Sequence, residues 1–136
     1  MNAVDTNVLV YALTPDEPAR SAVAAKLVQE LSENETVVLW QVACEFGAVI
    51  SGLVARGKAD PSVLDAMTGL RARFPIILPT QGILENGLRI HRDHRVSYWD
   101  AMLLAACADA GVTRLYSEDI PGQPVIESVA VVNPFA

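Results

Sequence analysis

Short apolar runs of strand length alternate along this chain with segments whose apolar residues recur at helical spacing, and no repeat or low-complexity tract interrupts them. That alternation marks an α/β domain, in which helical crossovers return the chain to a parallel sheet. The pattern predicts strands over residues 2–5, 36–40, 74–78, 114–117 and 129–132. The first runs straight into a helix over 6–13. A helix over 18–31 carries the stripe Val23, Ala24, Leu27, Val28 and Leu31, and one over 41–56 is closed by Gly57. Asp60 followed by Pro61 reads as an N-cap and first turn, opening a helix to about residue 71. Further helices are expected over 81–94 and 98–110, the latter so apolar between Ala101 and Ala108 that it should be buried, with Gly111 as its stop. A three-layer αβα sandwich around a parallel sheet follows, and such sheets place their sites at the carboxyl ends of the strands.

At 136 residues the chain is expected to form a single domain over 1–136. With 51% hydrophobic residues it can bury a core without a disulfide or metal staple. Cys44 and Cys107 have apolar neighbours and no CxxC or Cys/His spacing, so both read as buried, reduced thiols. The longest stretch without a charge, Phe74 to Leu84, is only eleven residues, too short for a membrane span. Residues 1–14 carry Asp5 and no basic start, unlike a signal peptide, so residence in the cytoplasm is the default expectation. A net charge of −6 argues against a nucleic-acid partner unless the acids are gathered in one place.

Four acids stand where a carboxylate is awkward for folding alone. Asp5 ends the first strand, where an N-cap would also account for it. Glu45 shares the stripe of Val42 and Val49 in an otherwise apolar helix, where an unpaired carboxylate would be costly, a solvated edge of the helix being the alternative. Asp100 follows Ser97-Tyr98-Trp99, a spacing that also suits a capping arrangement. Asp119 follows a strand in Ser117-Glu118-Asp119, where an Asx turn is the alternative. Together they belong at one rim of the sheet. Two carboxylates about 5 Å apart repel by roughly 3 kcal/mol at an effective dielectric near 20, so a cluster must take up protons or a cation. Oxygen ligands favour Mg²⁺ or Mn²⁺ over zinc. The hydroxyls of Thr6, Ser97 and Ser117 lie within three residues of these acids and suit orienting roles behind them.

At these residues the sequence resembles the PIN-domain family, and within it the VapC-type toxins of bacterial toxin-antitoxin pairs. The resemblance runs through Asp5-Thr6-Asn7-Val8-Leu9, Glu45, Ser97-Tyr98-Trp99-Asp100-Ala101, Ser117-Glu118-Asp119 and the closing Val131-Val132-Asn133-Pro134-Phe135. It implies a PIN-like sandwich and a metal-dependent endoribonuclease acting on single-stranded RNA. The catalytic quartet would be Asp5, Glu45, Asp100 and Asp119, with Asp5, Asp100 and Asp119 holding Mg²⁺ or Mn²⁺. Glu45 would complete the shell or position the attacking water, Glu118 competes with Asp119 for the fourth place, and the products would carry a 5′-phosphate and a 3′-hydroxyl. The resemblance also implies a small cognate antitoxin.

Setting the quartet aside moves the formal charge from −6 to −2, which removes the objection to RNA. Arg89, Arg92 and Arg95, with His91 and His94, are candidate RNA contacts, although a basic helix C-terminus complementing the dipole explains them as well. Tyr98 and Trp99 read more readily as core than as base-stacking groups. Ile50, Leu53 and Val54 beside Phe46 exceed a one-sided stripe and suggest a partner groove or homodimer face, dense packing being the alternative. A catalytically silent protein-binding domain of the same fold is a competing reading. So is a haloacid-dehalogenase-like phosphohydrolase, which would need an acid where Asn7 stands and a later lysine, whereas the only lysines are Lys26 and Lys58.

Overall fold

The computed structural model describes residues 1–120 and 125–136, except for the side chain of residue 63, so the Pro121-Gly122 end of the Asp119 segment lies outside them. Six strands, β1 (Asn2–Val4), β2 (Thr36–Leu39), β3 (Ile76–Ile77), β4 (Arg114–Tyr116), β5 (Val125–Ile126) and β6 (Val129–Val132), form one sheet in the order β3-β2-β1-β4-β6-β5. The pairs β1–β2, β1–β4, β2–β3 and β4–β6 are parallel, with Ala3 opposite both Val37 and Leu115. The helices are α1 (Thr6–Leu13), α2 (Pro18–Ser32), α3 (Trp40–Ala55), α4 (Ala66–Arg73), α5 (Gly82–His94) and α6 (Tyr98–Asp109). α1 packs on α2 and α3, α5 packs on α6, and the two groups form the outer layers of an αβα sandwich.

The core follows from the apolar runs. Val4, Val38, Leu39 and Leu115 are buried in the sheet, and Phe46, Ile90, Leu103 and Leu104 bury against it from the helices. α6 is buried continuously from Ala101 to Cys107, as its composition predicts. Gly87 lets α5 close on α6, because a Cβ there would collide with the Met102 sulfur.

Several boundaries differ from expectation. The helix expected over 60–71 is a 3₁₀ turn, Pro61–Asp65, followed by α4. β3 contracts to two residues, and β5 is a strand the sequence pattern did not disclose. β5 pairs antiparallel with β6 across Glu127 and Ser128, both at positive φ, so the sheet is mostly rather than wholly parallel.

Side-chain placement brings further corrections. Cys107 is buried, which pushes its thiol up to about 12, whereas Cys44 is exposed. Tyr98 and Trp99 are not core: they are 40% and 65% exposed, because the buried face of α6 begins only after them. Of the predicted α2 stripe, Ala24, Val28 and Leu31 are buried but Val23 is exposed. Phe46 and Ile50 pack in the core and Leu53 and Val54 lie half-buried against it, so dense packing accounts for that surplus. No described helix is long and apolar enough to cross a membrane.

Candidate active site

β1 is the strand from which the sheet order departs in both directions, through β2 to β3 and through β4 to β6. At such a switch point the connections after adjacent strands diverge and leave a crevice at their carboxyl ends. Asp5 stands directly after β1, and Ser117 to Asp119 directly after the neighbouring β4. The Asp5 N–H donates to the Tyr116 carbonyl (2.9 Å), which fixes the two strand ends side by side.

Asp5 is buried. Its Oδ1 accepts the Thr6 N–H (2.7 Å), so it does cap α1, and its Oδ2 accepts the Ser117 hydroxyl (2.7 Å). The same Ser117 Oγ accepts the Asp119 N–H (3.2 Å), so one buried hydroxyl ties the first acid to the segment carrying the last. Burial raises the Asp5 carboxyl above the usual carboxylate range. The two hydrogen bonds oppose this, and the negative fields of Glu45 and Asp119 reinforce it.

Glu45 occupies the solvent edge of α3 rather than the stripe the sequence placed it on, and Val49 is exposed beside it. Its carboxylate is nevertheless fixed: Thr6 Oγ1 donates to Oε2 (3.0 Å) and Gln41 Nε2 to Oε1 (3.3 Å). Asp100 sits in the first turn of α6, where its N–H donates to Ser97 Oγ (3.2 Å). Burial raises the Asp100 carboxyl too, a Ser97 hydrogen bond pulls it down, and the fields of Asp119 and Glu45 push it up. Asp5 and Asp100 thus each lie in the negative fields of Glu45 and Asp119, which brings the four acids to one region of the fold.

Asn7 and Gln41 are functional candidates that sequence reasoning passed over. Asn7 Nδ2 donates to Asp119 Oδ2 (2.8 Å), while its own Oδ1 is buried with no hydrogen-bond partner among the described residues. Gln41 Nε2 also donates to the Trp99 carbonyl (3.1 Å), linking α3 to the first turn of α6, which carries Asp100. The signals were available, since Asn7 lies two residues after Asp5 and Gln41 one helical turn before Glu45. Glu118 faces elsewhere, accepting hydrogen bonds from Tyr11 and Arg20.

The basic residues do not join this cluster through any described bond. Arg89 pairs with Glu127 (2.7 Å), Arg92 pairs with Asp93 (2.7 Å), and Arg95 ends α5 in the left-handed conformation. Among the described residues no group of three Asp, Glu, His or Cys side chains is arranged as a metal site. The donor chemistry still fits a hard divalent ion: every candidate ligand is an oxygen, Asp5 is buried with the like charges of Glu45 and Asp119 acting on it, and Asn7 Oδ1 has no hydrogen-bond partner among the described residues.

The fold and site define an α/β domain with an oxygen-only acidic cluster at the switch point of a mostly parallel sheet. The chain belongs to the PIN domain family, whose model matches residues 3–120. A sequence comparison with curated proteins gives no match. Among solved structures, a toxin-antitoxin complex from Klebsiella pneumoniae superposes with a TM-score of 0.65 at 20% identity, covering 98% of each chain. The Mycobacterium tuberculosis VapC20, described as a sarcin-ricin-loop-cleaving toxin, gives 0.65 at 19% identity over 88% of this chain and 92% of that one. FitAcB from Neisseria gonorrhoeae gives 0.65 at 16% identity over 99% of each. At these identities the structures establish the shared fold.

Proposed function

We propose that this chain is a divalent-metal-dependent endoribonuclease that cleaves single-stranded RNA and serves as the toxin of a toxin-antitoxin pair in the cytoplasm. The observation that carries the reading is the joining of Asp5 and Asp119 through the Ser117 hydroxyl, under the fields of Glu45 and Asp100. Asp5, Asp100 and Asp119 would hold Mg²⁺ or Mn²⁺. When bound, such an ion acidifies water and neutralises charge on a phosphodiester under attack. Glu45, held by Thr6 and Gln41, would orient the attacking water, and Ser117 keeps Asp5 and the Asp119 segment together. Arg89, Arg92 and Arg95 remain candidate contacts for the RNA backbone. RNA cleavage by one structural neighbour, and the toxin-antitoxin setting of another, support this reading.

Two surfaces suit protein partners. A groove of about 280 Å³ between α1, α2 and α4, lined by Leu13, Val28, Ala66, Leu70 and Arg73, suits an apolar segment of a cognate antitoxin. A larger one, about 860 Å³, is lined by Trp40, Cys44, Leu78, Leu84 and Trp99, and Leu88 continues its apolar rim one turn along α5 from Leu84. Exposed apolar side chains on one face suit the self-complementary patch of a twofold contact between copies, so a homodimer face is proposed here rather than at Ile50 and Leu53, which pack into or against the core. Light scattering should find a dimer for the wild type and a monomer for Leu84→Lys.

Mapping of cleaved ends in total RNA treated with the purified protein tests the activity. Cuts are expected only with Mg²⁺ or Mn²⁺, leaving a 5′-phosphate and a 3′-hydroxyl. Phosphomonoester hydrolysis without RNA cleavage would overturn the assignment. Expressed alone, the chain should arrest bacterial growth, and coexpression of the protein encoded beside it should restore growth. A soluble, metal-binding wild type without toxicity or a co-purifying partner would remove the toxin role.

A further inference from the structure

The four-acid cluster does not account for Glu118, for Tyr11 and Arg20, or for the closing Asn133-Pro134-Phe135. The structure brings all of them together. Tyr11, on α1, donates its hydroxyl to Glu118 Oε1 (2.7 Å), and Arg20, on α2, donates from Nε to Oε2 (3.3 Å), so each carboxylate oxygen of Glu118 is engaged. The Arg20 guanidinium lies 5.7 Å from the centroids of both the Tyr11 and Phe135 rings, and those rings meet edge to face at 5.2 Å. Arg20 also pairs with Glu17 (3.2 Å), and the Phe135 N–H donates to Asn133 Oδ1 (2.9 Å), turning the chain end so that the ring reaches this cluster. Tyr11 keeps its proton: the hydrogen bond to Glu118, then burial, push its hydroxyl up to about 12.

Glu118 therefore points to α1 and α2, while Asp119, the next residue, points to Asn7. Two consecutive carboxylates are anchored in different directions, and both anchors start from α1, since Asn7 and Tyr11 are one helical turn apart. We infer that Glu118 is a positioning residue: Tyr11 and Arg20, covered by Phe135, hold its carboxylate, and that grip fixes the segment after β4 so that Asp119 faces the acidic cluster. This rests on the nuclease reading for its effect on rate, but the grip itself can be measured without it.

Amide hydrogen exchange over residues 117–120 and RNA cleavage should be followed together in Tyr11→Phe, Glu118→Gln, their double variant and Asp119→Asn. In Tyr11→Phe and Glu118→Gln, exchange at Asp119, whose N–H is held by Ser117, is expected to accelerate severalfold. The Mg²⁺ concentration for half-maximal cleavage should rise roughly tenfold, with KM for RNA little changed, because a misplaced ligand costs effective concentration at the reacting centre. The double variant should be no worse than the poorer single one, since both changes release one grip. Arg20→Lys should preserve more activity than Arg20→Ala. Unchanged exchange in both single variants would overturn the proposal. So would a Glu118→Gln variant as inert and as deaf to metal as Asp119→Asn, which would make Glu118 a ligand itself. A wild type that neither binds metal nor cleaves RNA would refute the nuclease reading, and the exchange measurement would still decide whether Glu118 holds the segment.

Discussion

Asp5→Asn, Asp100→Asn and Asp119→Asn should each lower the rate of single-stranded RNA cleavage at saturating Mg²⁺ by roughly 100-fold or more, in line with the loss of one strong electrostatic contact to a reacting phosphate. Glu45→Gln should fall in the same range, because Thr6 and Gln41 hold a carboxylate that the amide replaces only as a weaker acceptor. Asp65→Asn is the matched control. It removes the same charge from the start of α4, where Asp65 makes no side-chain cap bond, and should leave the rate within about twofold of wild type. Full activity in Asp100→Asn would remove the proposed chemistry.

Mg²⁺ or Mn²⁺ should stabilise the wild type strongly. At an ion concentration one hundred times its dissociation constant the gain is about 2.7 kcal/mol, which for a domain of this size shifts the melting midpoint by roughly 10 °C. Asp5→Asn should blunt that shift. It should also raise the metal-free midpoint, because it removes a buried charge set among like charges.

The pH dependence follows from the same groups. Asp5 and Asp100 have their carboxyls raised in the folded state, first by burial, so the folded chain holds those protons more tightly than the unfolded chain. Stability of the metal-free protein should therefore fall as pH rises from the ordinary carboxylate range through the raised values. Asp60, Asp93 and Glu127 are lowered by hydrogen bonds to Ser62, Arg92 and Arg89, and would lose their contribution as pH falls. They are solvent-screened, so their opposing effect is small. Calorimetry of the metal-free wild type should give a midpoint that falls as pH rises from the ordinary carboxylate range toward neutrality, with a flatter profile in Asp5→Asn. A profile of the same slope in both would disconnect Asp5 from the effect.

Periodicity within a few residues determined much of this protein. It located the helices, the burial of α6 from Ala101 to Cys107, and Asp5 and Asp119 at the ends of strands, because local spacing decides which side chains share a helix face or close a strand. Spacing is silent about β5, whose two residues carry no period, and about the shortening of the helix expected over 60–71. It also misplaced Glu45, Tyr98 and Trp99, since an apolar neighbour in sequence does not say which side of a helix meets the sheet.

The joining of the site belongs to tertiary structure alone. Ser117 reaches Asp5 across 112 residues only because β4 lies beside β1 in parallel register, with Tyr116 opposite Val4. The same register, with α1 leaving β1 at Thr6, sends Asp119 to Asn7 and Glu118 to Tyr11 and Arg20. Two adjacent acids that the sequence left as competitors for one place are separated by which helix each can reach, and that depends on packing between elements distant in the chain.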